Sequence, residues 1–110
     1  MAFEHYEEGQ ITVVRIDESR LDASVAEAFK TYVFDLIEEG KSELIVDLAE
    51  VRFMDSTGLS VLVAGLKKLS GNGSLGLASA QPAVQDLFDL TSMDKLFKLH
   101  GSVAEAVKGS

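Results

Sequence analysis

The chain has 110 residues, 46% of them hydrophobic and 25% charged, and no cysteine, so disulfides, thiolate catalysis and Cys-based zinc sites are excluded. Its net charge of −8 is uneven: residues 1–55 hold fourteen Asp/Glu against five Lys/Arg, residues 56–110 four against five. Nucleic-acid binders gather cations on one face, so this balance argues against a polyanion partner and for a protein with a basic surface.

Residues 3–8 and 11–16 read as a β-hairpin with Gly9-Gln10 as its turn. A helix is predicted over residues 25–37, with Val25, Phe29, Tyr32, Val33, Leu36 and Ile37 on one stripe. Ser24 with Glu27 spells a capping box at its start, and Gly40 is its stop. Glu38 and Glu39 lie at the end where the helix dipole disfavours anions, and nothing in the sequence accounts for them.

A buried strand is expected over 44–48, from Leu44-Ile45-Val46 and Leu48. A second helix begins near Ser56, carried by Leu59, Leu62, Val63, Leu66 and Leu69, and Gly71-Asn72-Gly73 turns the chain after it. Residues 75–78 form a further strand. Pro82 suits the first turn of a third helix whose apolar face is Val84, Leu87, Phe88 and Leu90. Residues 96–99 complete the sheet, and Ser102 with Glu105 caps a final helix. The order ββαβαβαβα predicts an α/β fold, a mixed sheet with an opening hairpin and helices packed against it. The chain reads as a single domain, 1–110, with its core over about 3–107.

The chemistry is sparse. A hydrolytic serine needs a base, and the two histidines, His5 and His100, sit near the termini in no recognisable constellation. Both read as surface or strand-edge residues. Asp55-Ser56-Thr57-Gly58 has one residue too many for the Asp-Thr-Gly of aspartic proteases, and no second copy occurs. Neither a Gly-x-x-x-x-Gly-Lys-Ser/Thr loop nor a Gly-x-Gly-x-x-Gly follows a strand. Asp17, Glu18 and Asp22 cluster in sequence, but on a loop where solvated or capping roles are the expectation. The reading is of a non-enzyme without cofactor or metal, acted on by another protein. The first twenty residues lack a basic start and an apolar stretch, and no apolar run is long enough for a bilayer span. A cytoplasmic location without membrane attachment is therefore expected.

Residues 51–59, Val-Arg-Phe-Met-Asp-Ser-Thr-Gly-Leu, followed by Val61-Leu62-Val63, closely resemble the signature of bacterial anti-sigma-factor antagonists of the STAS-domain family. Leu21-Asp22 before the first long helix, Asp47-Leu48 before the signature, and Pro82-Ala83-Val84 through Leu96-Phe97-Lys98 agree with the same pattern. The resemblance spans essentially the whole chain and implies the STAS fold. It also implies a partner-switching role, in which the small protein competes with a sigma factor or another client for a serine kinase that doubles as the anti-factor. That ATP-binding kinase would phosphorylate Ser56 and so abolish binding, and a metal-dependent serine phosphatase would restore it. Asp22, Asp55, Thr57, Gly58 and Ser60 would then line the partner surface with the flank of the helix to Lys67, and the free protein would be a monomer.

Two departures are evident: Ser19 and Ser60 stand where the family commonly has glycine. They bear on which kinase is recognised, and Ser60 adds a third local hydroxyl. The alternative reading is a STAS accessory subunit of a membrane transport system, docking on an ATPase without phosphorylation. The hydroxyl after Asp55 favours the antagonist.

Overall fold

The structure, a computed structural model, describes residues 2–109. Strands β1 (Phe3–Glu8) and β2 (Ile11–Ile16) form the expected antiparallel hairpin. A two-residue strand β3 (Arg20–Leu21) leads into helix α1 (Ala23–Glu38). Strand β4 (Glu43–Asp47), the short β5 (Phe53–Met54) and helix α2 (Ser56–Leu69) follow. Then come β6 (Ser74–Ala78), α3 (Pro82–Leu90), a 3-10 turn (Met93–Lys95), β7 (Lys98–His100) and α4 (Val103–Lys108).

The main sheet has the order β1-β2-β4-β6-β7, with only the hairpin antiparallel. A mixed sheet with alternating strands and helices is what the sequence predicted. Its parallel centre needs cover on both faces. On one face, Val14, Ile16, Leu44, Val46, Leu75 and Leu77 pack under Phe29, Val33 and Leu36 of α1, Leu59 and Leu62 of α2, and Val84 and Phe88 of α3. On the other, Ile11, Val13, Ile45 and Ala78 meet Ala106 of α4. The period-2 alternation of each strand sorts its residues between these two layers.

Several local expectations are corrected. Helix α1 starts two residues earlier than its periodicity suggested, because Asp22, not Ser24, is its N-cap: the carboxylate accepts from the Ser24 N–H at 3.0 Å and from its hydroxyl at 2.6 Å. A carboxylate already filling that position leaves no role for a Ser24–Glu27 box. The buried face of α1 runs through Ala26, Phe29, Val33 and Leu36, while Val25, Tyr32 and Ile37 lie only half-buried at its margins. Leu90 is 84% exposed rather than part of the apolar face of α3. The last strand begins at Lys98, since Phe97 N–H bonds back to the Met93 carbonyl and holds 96–97 in the preceding turn. Phe97 is buried and Leu96 exposed. At the end of α2, Ser70 takes the left-handed conformation (φ 50°) just before the glycines. Gly73 is fixed by close approach, since a Cβ there would stand 2.0 Å from the Ser42 carbonyl oxygen.

Glu38, unexplained by its own helix, finds its reason across the packing: Lys68 of α2 holds its carboxylate at 3.0 Å. His5 is exposed on the edge strand with its ring bonded to the Tyr32 hydroxyl at 2.6 Å, and His100 is half-buried on the opposite edge. Among the described residues, no helix is long and apolar enough to cross a membrane.

Candidate functional site

The site is built by the smallest elements of the fold. β3 and β5 pair in parallel, Arg20 beside Phe53 and Leu21 beside Met54, outside the main sheet. Leu21 and Met54 turn inward to the core. Alternation therefore gives the outer face to Arg20, Asp22, Phe53 and Asp55. Because the register is in step, the next residue of each strand, Asp22 and Asp55, is the N-cap of α1 and α2 respectively. The Asp55 N–H closes the link on the Leu21 carbonyl at 3.3 Å. Two helix N-termini thus open side by side on one surface, each satisfied by its own carboxylate.

Asp55 accepts from the backbone N–H of Thr57 at 2.9 Å and of Gly58 at 3.2 Å, and from the Thr57 hydroxyl. The Thr57 hydroxyl, ahead of those two backbone donors, holds the Asp55 carboxyl below the ordinary Asp value, while partial burial and the negative charge of Asp22 push the other way. Asp22 is likewise depressed, by the Ser24 hydroxyl first and then by Arg20, whose Nε donates to Oδ2 at 3.0 Å.

A pH dependence follows. Both carboxyls bind protons less readily folded than unfolded, so their stabilisation is present above the unfolded Asp value of about 3.9. It is lost as pH falls through the depressed folded values. The urea midpoint should drop in that acid window. Asp55→Asn keeps a side-chain acceptor but does not titrate, and its midpoint should fall less steeply there than the wild type's. Parallel acid limbs would show that Asp55 contributes nothing to the pH dependence.

The three hydroxyls of the turn are not equivalent. Thr57 spends its proton on Asp55, and Ser60 donates to the Ser56 carbonyl at 2.8 Å, one turn back along α2. Ser56 is exposed in the first turn of the helix, and no hydrogen bond among the described residues engages its Oγ. Of the sequence-predicted residues, Asp22, Asp55, Ser56, Thr57 and Ser60 come together at this surface. Gly58 does not: it is buried, and a Cβ there would meet the Leu21 carbonyl oxygen at 2.5 Å. Its part is to let α2 approach β3. Ser60 borders two grooves, one of about 280 Å³ between α1 and α2 with Thr57 and Lys30, the other of about 490 Å³ between α2 and the 3-10 turn with Ser56, Lys67 and Met93.

Sequence reasoning missed Arg20 and Phe53, whose side chains stack with the guanidinium carbon 4.4 Å from the ring centre. Their signal was present but faint, an arginine two residues before the capping Asp22 and an aromatic two before Asp55. Of the three acidic residues clustered at 17–22, Asp22 takes a capping role and Asp17 lies 3.9 Å from Arg15. Among the described residues, no group of three or more His, Asp or Glu is placed to hold a metal ion.

The family model described as the STAS domain matches residues 2–106. A Thermotoga maritima protein provisionally named an anti-sigma factor antagonist is 30% identical over 98 residues, 87% of either chain. The anti-sigma-B factor antagonist of Staphylococcus epidermidis is 31% identical over 81 residues, 73% of this chain and 75% of that one. The crystal structure of an anti-sigma factor antagonist from Mycobacterium paratuberculosis is similar with a TM-score of 0.89 at 25% identity, covering 97% of this chain and 91% of the other.

Proposed function

The chain belongs to the STAS-domain family, and from that premise we propose that it is a phosphorylation-controlled anti-sigma-factor antagonist. In its unmodified form it docks on a serine kinase that is also the anti-factor and displaces that kinase's client. In its modified form it does not bind. The observation that carries this reading is the Ser56 hydroxyl at an exposed helix start, unengaged among the described residues, beside two hydroxyls already committed elsewhere. The relatives named as antagonists supply the partner class.

The chemistry is one group transfer. Ser56 Oγ attacks the γ-phosphorus of ATP, the bond to the bridging oxygen breaks, and ADP leaves while the serine proton passes to a base of the kinase. The product carries about −1.5 to −2 additional charge. A helix N-terminus tolerates that anion, so the fold survives. A partner seated over the turn meets new bulk and charge beside Asp22 and Asp55. A metal-dependent serine phosphatase resets the switch by hydrolysing the phosphoester. Asp22, Asp55, Thr57 and Ser60 belong to the docked surface, and Gly58 acts beneath it.

The test is mass spectrometry of the protein after incubation with its serine kinase and Mg-ATP. One phosphoryl group on Ser56 is expected. Modification of Thr57 or Ser60 with Ser56 free would overturn the assignment.

A further inference from the structure

We propose that Arg20 is a built-in receiver for the phosphoryl group on Ser56: the free edge of its guanidinium pairs with the phosphate while Nε stays on Asp22. The inference rests on the reading of Ser56 as the modified residue, and it concerns what the modified state does within its own chain.

The geometry is specific. Arg20 makes one hydrogen bond, Nε to Asp22 Oδ2 at 3.0 Å, and no bond among the described residues engages its two terminal nitrogens. The plane is steadied from below by the Phe53 ring at 4.4 Å. A guanidinium held at one edge and one face is already ordered, so a second ligand at the open edge costs little further entropy. Arg20 and Asp22 share the outer face of the short parallel pair with Phe53 and Asp55, and Ser56 follows Asp55 directly. The side chain is 61% exposed, so the open edge is accessible.

Charge gives the same direction. Before modification the turn holds Asp22 and Asp55 against Arg20. A dianion added at Ser56 would leave three acidic groups on neighbouring residues, and Arg20 is the cation already bonded into that cluster. Of the other charged side chains nearby, Lys67 on α2 lines the same groove as Ser56, Glu27 and Lys30 on α1 line the groove beside Thr57, and Arg52 and Asp86 border Phe53. Arg-phosphate pairing is charge-assisted and planar, which Lys reproduces only as a point charge.

The experiment installs phosphoserine at position 56 during translation, so that no kinase is required. The second ionisation of that phosphate is followed by phosphorus NMR in three proteins: wild type, Arg20→Gln and Arg20→Lys. An opposite charge at hydrogen-bond distance stabilises the dianion. The wild-type value should therefore lie about half a unit or more below that of Arg20→Gln, with Arg20→Lys between them. The difference should shrink in high salt. Circular dichroism of the unmodified variants checks that each is folded. Equal phosphate ionisation in all three proteins overturns the proposal, even if Arg20→Gln alters stability through Asp22. If the kinase modified another residue the functional reading would fall, and this measurement would still report on Arg20.

Discussion

Ser56→Ala is expected to give a protein that binds its kinase whether or not ATP has been turned over, and Ser56→Asp one that binds at least tenfold more weakly. The two variants should be equally folded. Asp55, not Ser56, caps α2, and the Ser56 hydroxyl is unengaged among the described residues. Its removal is a surface change, within about 0.5 kcal/mol of neutral. A carboxylate at Ser56 gains from the positive end of the helix, a favourable term of up to about 1 kcal/mol, partly offset by Asp55 and Asp22 nearby. Binding is another matter. Tenfold in affinity corresponds to about 1.4 kcal/mol, and leaving one charge buried without a partner costs about 3–5 kcal/mol. Docking over the turn would impose part of such a cost to the extent that neither Arg20 nor a cation of the partner reaches the carboxylate. Calorimetric titration of both variants against the kinase decides the matter. Indistinguishable affinities would place Ser56 outside the interface and promote the transport-subunit reading, in which the same fold docks without modification.

Gly58→Ala should destabilise the protein by about 2 kcal/mol, while Gly65→Ala, seven residues along the same helix, should be neutral or stabilising by up to about 1 kcal/mol. The two sites separate helix propensity from packing. Alanine is the better helix former at both. At Gly65 the new Cβ would lie 3.5 Å from Val33 and 3.7 Å from Leu75, ordinary contact distances. At Gly58 it would lie 2.5 Å from the Leu21 carbonyl oxygen and 2.9 Å from the Met54 side chain. The obstructing atom is backbone, part of the strand pair that also takes the Asp55 N–H. Relief therefore requires α2 to shift away from β3, which loosens the link between the two capping carboxylates. Urea unfolding of the two variants provides the comparison. A Gly58→Ala protein as stable as wild type would mean that the close approach is not a constraint, and its kinase affinity would then carry no packing effect.

The same close approach explains why Gly58 was misplaced by sequence reasoning. Within Asp-Ser-Thr-Gly it reads as one more member of an exposed turn, and only the position of Leu21, more than thirty residues earlier, makes it an interior residue. Ser60 shows the converse. A serine stands there in place of a family glycine, and its side chain faces outward with its hydroxyl closed on the Ser56 carbonyl. No glycine is needed at that position for the helix to pack.

What the sequence determined by itself is the part of the fold written in local periodicity. The hairpin about Gly9-Gln10, the three longer helices and the two central strands announce themselves because a buried stripe at spacing 3.6 or 2 is a property of consecutive residues. The Asp55–Gly58 turn was legible for the same reason: an acid, two hydroxyls and a glycine between an apolar strand and an apolar helix are contiguous. What only the tertiary structure decided depends on pairs far apart in the chain. Strands β3 and β5 have two residues each, too few to carry a period, yet their register sets Asp22 beside Asp55 and Arg20 over Phe53. Glu38 acquires its partner thirty residues away in Lys68. Leu90 and Leu96 are as apolar as their buried neighbours, and the available space under the sheet, already filled by Val84, Phe88 and Phe97, leaves them outside. Burial is allotted by close packing, which admits a fixed volume and is blind to the hydrophobicity of whatever remains.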